Sequence, residues 1–140
     1  MNRKDLVAAF AKRGFSEHLF AGTSGNLSVF DPETKRMYIT ASGIRYEEMT
    51  AEDIMVTDLD GTILEGKHKP SSEWRMHAAV YRAYPQTGAV VHTHSPYATG
   101  FSFSNKRILK VSVIVRREID NIHLNARGFK QLSSLRRNVG

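Results

Sequence analysis

At 140 residues the chain can build one domain with a real core and is too short for two comfortable ones. It has no cysteine and no apolar run near the roughly 18 residues of a membrane span. Disulfides and thiolate metal sites are therefore excluded, and any metal must be held by histidine and carboxylate. The net charge of +6 invites a nucleic-acid reading, but the excess is confined to the last quarter: residues 1–103 carry 11 Lys/Arg against 12 Asp/Glu, a balance of −1.

No apolar signal segment follows Met1-Asn2-Arg3, and a cytoplasmic protein is the expectation. Asp5 to Arg13 places Leu6, Ala9, Phe10 and Arg13 at helical spacing, with Gly14 expected as the C-terminal cap. Ala21-Gly-Thr-Ser-Gly-Asn26 reads as a small-residue loop feeding an alternating strand from Leu27 to Phe30. Asp31-Pro-Glu-Thr makes a turn, Met37 to Thr40 a second strand, and Ala41-Ser-Gly43 another small loop. Thr50-x-x-Asp53 resembles a capping box opening a short helix. Ile54 to Leu59 and Thr62 to Leu64 flank Asp60-Gly61, a signal for a tight hairpin turn.

After Pro70, Ser71 or Ser72 can cap a helix with Trp74, His77, Ala78, Tyr81 and Tyr84 on one face, ended by Pro85. The run Gly88-Ala-Val-Val-His-Thr-His94 follows, broken by Ser95-Pro96. If that run is a strand, its period of two puts His92 and His94 on one face, half of a transition-metal site with zinc the leading candidate. Glu73 can add a carboxylate from the start of the preceding helix. His77, one turn later, is expected to be a buried structural histidine rather than a ligand. No internal repeat occurs, and strands with helices packed around them give an α/β or α+β fold, one mixed sheet with a helical layer.

Taken together, Gly22-Thr-Ser-Gly-Asn26, Ile39-Thr-Ala-Ser-Gly43, Lys69-Pro-Ser-Ser-Glu73, His77 and Val91-His-Thr-His94 resemble the class II aldolase/adducin family. Gly43-Ile-Arg-Tyr-Glu-Glu-Met-Thr50 and Ser71-Ser-Glu-Trp-Arg-Met-His-Ala-Ala-Val-Tyr81 bring the likeness nearest to its L-fuculose-phosphate aldolase branch. The resemblance implies a three-layer αβα fold around a mainly antiparallel sheet, cut after the His-x-His strand. It also implies zinc bound by Glu73, His92 and His94, with Glu73 doubling as the catalytic acid/base. Gly25-Asn26, Ser42-Gly43 and Ser71-Ser72 would hold a sugar phosphate. Exposed backbone N–H groups in small loops, and hydroxyls at a helix N-terminus, suit that role. The implied reaction is reversible cleavage of a ketose 1-phosphate to dihydroxyacetone phosphate and an aldehyde, in a homotetramer. A pentulose-phosphate 4-epimerase, a dehydratase and a non-catalytic member of the same fold are the alternatives.

The likeness covers roughly residues 5–104, giving an aldolase-like portion over 1–104 and a basic tail over 105–140. From Ser104 onward there are 9 Lys/Arg against 2 Asp/Glu, and a frame change or truncation is the expected origin of that switch. The family's third zinc histidine and catalytic tyrosine belong to its later half. His123, in Asn-Ile-His-Leu-Asn, does not match that third-ligand segment. With that ligand unmatched, zinc affinity is expected to fall, and activity with it.

Two rival readings are weaker. Asp58-Leu-Asp60-Gly-Thr62 resembles the nucleophile motif of haloacid-dehalogenase-type phosphatases, but no acidic pair follows to hold magnesium, and a hairpin accounts for the residues. The basic tail suits nucleic acid by charge alone, with Phe129 its one aromatic residue and no recognised motif, so nucleic acid is not an expected partner.

Overall fold

The structure, a computed structural model, describes residues 2–94 and the backbone of two strands at 113–115 and 122–124. The chain divides into two units, Met1–Ser95 and Pro96–Gly140.

The first unit opens with helix α1, Arg3–Ser16, whose N-terminus is capped by the Asn2 side chain accepting from the Asp5 amide at 2.9 Å. The helix runs beyond both predicted ends, and Gly14 is not its cap. His18, at φ 59°, takes the left-handed position instead. Its amide donates to Phe15 O at 3.0 Å, and the Leu19 amide donates to Gly14 O at 2.9 Å, a Schellman closure. Gly14 is required for another reason: a Cβ there would stand 2.7 Å from Cε2 of Phe20, which packs across the helix.

Five strands follow: β1 Asn26–Asp31, β2 Arg36–Thr40, β3 Ile54–Thr57, β4 Ile63–Glu65 and β5 Ala89–His92. They form one sheet in the order β4-β3-β2-β1-β5, every described pair antiparallel. Alternation along the strands gives the sheet two apolar faces. On one, Val7, Ala8 and Ala11 of α1 pack with Leu27, Ile54, Phe20, Tyr46 and Met49. On the other, Phe30, Met37, Ile39 and Met55 receive Tyr81 and Trp74 from helix α2, Trp74–Ala83. The result is the αβα layering that the resemblance implies, and the fold is α/β of the class II aldolase type.

Two local details depart from the sequence reading. The β3–β4 connection is a wider loop rather than a two-residue turn, and β3 stops at Thr57. Asp58 Oδ1 accepts the amides of Asp60 and Thr62 at 2.9 and 2.8 Å, which diverts those groups from the ladder. At α2 the N-cap position is Glu73, not Ser71 or Ser72. Ser71 Oγ still takes the Glu73 amide at 3.3 Å, whereas Ser72 is exposed. The short helix expected after Thr50 is a single 3-10 turn, Ala51–Asp53, with Asp53 Oδ2 accepting the Thr50 amide at 2.9 Å.

In the second unit, β6 (Val113–Val115) and β7 (Ile122–Leu124) pair antiparallel. The side chain of His123 and the rest of the basic tail lie outside the described residues. Among the described residues no helix is long and apolar enough to cross a membrane.

Candidate metal centre

The register of β1 against β5 sets Asn26 opposite His92 and Ser28 opposite Val90. Because side chains alternate, Asn26, Ser28, Val90 and His92 share the face covered by α2. Glu73, at the start of α2, therefore meets His92 over the end of β1. His92 Nε2 lies 3.1 Å from Glu73 Oε2 and 3.0 Å from His94 Nε2. The strand ends at His92, two residues short of the predicted His-x-His strand, and His94 lies beyond it. The two imidazoles meet edge-on at 89°, with centroids 4.8 Å apart.

Donor atoms of Glu73, His92 and His94 all lie within 4.8 Å of one another. Two donors bound tetrahedrally at about 2.0–2.1 Å from one ion stand about 3.3 Å apart, and the two spacings at His92 Nε2, 3.0 and 3.1 Å, are close to that. Two imidazoles and a carboxylate are a donor set suited to zinc and other borderline divalent ions. The residues fit the metal that the fold implies. Glu73 and His92 are half-buried and His94 is exposed, which leaves the cluster open to an incoming molecule.

Behind the cluster lies a buried polar line. Asn26 Nδ2 donates to Glu73 Oε2 at 2.8 Å, and Asn26 Oδ1 meets His77 Nε2. His77 Nδ1 is 2.6 Å from Ser28 Oγ, which is 2.7 Å from the Tyr81 hydroxyl. Burial, reinforced by nearby His92 and opposed by Glu73, pushes the His77 imidazole down to about 4, so it is neutral at neutral pH. Burial likewise raises the Tyr81 phenol far above its usual range. His77 is thus the buried histidine that the sequence predicts. Ser28 and Tyr81 were not identifiable as parts of a site, although polar residues at 26 and 28, two apart on a strand face bound for the core, were the available signal.

The other candidate residues gather at the same end of the sheet. Ser71 N donates to Thr40 O at 3.0 Å and Ser42 N to Lys69 O at 2.9 Å, which draws the Ser42-Gly43 and Ser71-Ser72 segments together. Gly43 is exposed at φ 77°, and Ser42 and Ser72 are exposed beside it in the loops, while Ser71 is buried. Gly25, at φ 85°, lies against β5: a Cβ there would come within 3.0 Å of His92 O and 2.4 Å of Phe20 Cδ1. Its carbonyl accepts the Tyr46 hydroxyl at 2.7 Å, and burial holds that phenol up at about 12. The Asn26 side chain gives one N–H to Glu73 and meets His77 through Oδ1, which leaves its second N–H and its backbone for any contact to a phosphate. At the far end, Asp58 and Asp60 belong to the β3–β4 hairpin loop, where Arg82 pairs with Asp60.

An antiparallel sheet between two helical layers, with a carboxylate–imidazole cluster at one end, defines a protein of the class II aldolase fold. The chain belongs to the Class II Aldolase and Adducin N-terminal domain family, whose model matches residues 4–135, past the charge switch at Ser104. That family is metal-dependent. A 5-deoxy-D-ribulose 1-phosphate aldolase of Bacillus thuringiensis serovar kurstaki is 38% identical over 112 residues, covering 80% of this chain and 53% of that protein. An L-ribulose-5-phosphate 4-epimerase of Salmonella paratyphi B is 45% identical over 80 residues, 57% of this chain and 35% of that one. A solved L-fuculose 1-phosphate aldolase superposes with a TM-score of 0.68 at 41% identity, covering 71% of this chain and 47% of its own. The chain thus spans about half the length, or less, of these relatives.

Proposed function

We propose that this chain carries the metal- and phosphate-binding part of a sugar-phosphate aldolase. The substrate class is a ketose 1-phosphate of the L-fuculose 1-phosphate type, cleaved to dihydroxyacetone phosphate and an aldehyde. The observation that carries the reading is the convergence of Glu73, His92 and His94 on one point from two separate elements. These three residues would hold a divalent ion, zinc by the chemistry of the donors. Bound there, such an ion supplies Lewis-acid polarisation of a substrate carbonyl.

The chain's own residues do the rest. The loops at Gly25-Asn26, Ser42-Gly43 and Ser71-Ser72 receive the phosphate, where small residues and the start of α2 offer N–H and O–H donors. Aldol cleavage takes a proton from a hydroxyl, breaks a C–C bond and returns a proton to the carbon kept with the phosphate. Glu73 is the group that holds that proton. Its Oε2 takes the contacts with Asn26 and His92, and among the described residues no hydrogen bond reaches Oε1. Assembly as a homotetramer, with the site near subunit contacts, is part of the same reading. Exposed Phe10, Leu19 and Val91 are in keeping with it.

Zinc titration by calorimetry tests the core of this proposal. Wild type should bind one ion per chain, Glu73→Gln should bind more weakly, and a His92→Ala/His94→Ala double variant should not bind. Equal heats for wild type and the double variant would sink it. The identity to a 4-epimerase favours a second reading, inversion at C4 of a pentulose 5-phosphate. Release of dihydroxyacetone phosphate from L-fuculose 1-phosphate supports the aldolase. Interconversion of L-ribulose 5-phosphate and D-xylulose 5-phosphate without it supports the epimerase.

A further inference from the structure

The buried line behind the cluster has a direction, and donor chemistry fixes it. An ionised carboxylate only accepts, so Asn26 turns its NH2 to Glu73 and its carbonyl to His77. That carbonyl also only accepts, so the proton of neutral His77 sits on Nε2. Nδ1 is then an acceptor, and the hydroxyl of Ser28 must donate to it. Ser28 Oγ keeps lone pairs for the Tyr81 hydroxyl, 2.7 Å away. Each hydrogen bond from Ser28 onward points toward Glu73, and the Tyr81 hydroxyl also donates to the Ser28 carbonyl at 3.0 Å.

We propose that His77 is a positioning residue for Glu73. As its Nε2–H tautomer, set by Ser28 and backed by Tyr81, it locks the Asn26 amide in the one orientation that offers an N–H to the carboxylate. With His77 unable to donate, the amide is free to turn. Its oxygen would then face Glu73 Oε2, and the carboxylate would lose the contact that holds it beside His92. Packing alone does not call for this arrangement. Ser28 and His77 are fully buried and Tyr81 is 1% exposed, positions where apolar groups of like volume would carry no desolvation cost. Three buried polar side chains in one directed line are a device for orientation. The consequence for metal affinity rests on the proposed role of Glu73 as a ligand; the tautomer and the amide orientation do not.

The test uses the whole 140-residue chain, labelled with nitrogen-15, and cobalt(II) as the probe ion. Without metal, long-range proton–nitrogen spectra should show His77 as the Nε2–H tautomer, and the Asn26 side-chain amide resonances should move in Glu73→Gln. With cobalt, His77→Phe should bind about tenfold more weakly with an altered visible spectrum, the order of effect for a residue supporting a metal ligand. His77→Gln, whose amide N–H falls near the position of Nε2, should restore both affinity and spectrum. If His77→Phe does not fold, Ser28→Ala serves instead and should weaken cobalt binding while raising the Nδ1–H tautomer. An Nδ1–H tautomer in wild type, or equal cobalt affinity and spectra among the folded variants, overturns the proposal. Should wild type take up no cobalt, the metal reading fails by itself, and the metal-free spectra alone decide the positioning role.

Discussion

His77 couples the candidate site to pH through stability. Its imidazole falls from an ordinary 6.5 to about 4 on folding, so the folded state resists protonation that the unfolded chain accepts. Stability attached to the neutral ring is complete above pH 6.5 and declines as pH falls toward 4, by on the order of 3 kcal/mol across that window. Urea melts at intervals from pH 7 to 4 should show this slope, and it should shrink in His77→Gln. An unchanged slope would assign the acid sensitivity to other groups. Asn26→Leu is the complementary change: it removes the N–H given to Glu73, and metal affinity measured at pH 7 should fall by about tenfold.

At the scale of elements, two departures from the sequence reading carry their own tests. Helix propensity alone would make Gly14→Ala stabilising by about 1 kcal/mol. The Phe20 ring blocks that gain: it is 4% exposed and stacked on Tyr46 with centroids 4.8 Å apart, so it has nowhere to retreat from a new methyl. Gly14→Ala should therefore cost about 1–3 kcal/mol in a urea melt, as overpacked sites do. Asp58→Ala should cost about 1 kcal/mol, because it frees the amides of Asp60 and Thr62 to water and loosens β4 without touching the cluster. Strands and helices were largely legible because alternation and helical spacing report burial directly. The helix ends and the hairpin loop were not. They depend on what crosses them from elsewhere, Phe20 over Gly14 and Trp74 over Gly61, and no local pattern carries that information.

For the molecule as a whole, ion binding and folding should be one equilibrium. The three donors sit on segments separated by a helix and a strand, so an unfolded chain cannot present them together. Excess zinc at about 100 times its dissociation constant should add about 2.7 kcal/mol to stability, read as a rise in melting temperature that a chelator reverses. The His92→Ala/His94→Ala variant should show no such rise. Here too the sequence was half informative. The motifs at Glu73 and at His92 and His94 declared a site, and the αβα layers followed from the resemblance. The line from Glu73 through Asn26, His77 and Ser28 to Tyr81 was hidden, because each member alone reads as a strand residue or a helix-core residue, and only the packing of α2 on β1 joins them. That joining depends on the pairing of Asn26 with His92. A slip of one residue, about 3.3 Å along the strand, would put Val91 where His92 belongs and turn the imidazole toward α1. Val90, partly buried on the α2 face, and Val91, half-exposed on the opposite one, differ in burial, and that difference favours the observed alignment. Substitutions at those two valines, neither of them a donor to the ion, should therefore be read first as errors of alignment and only afterwards as losses of packing.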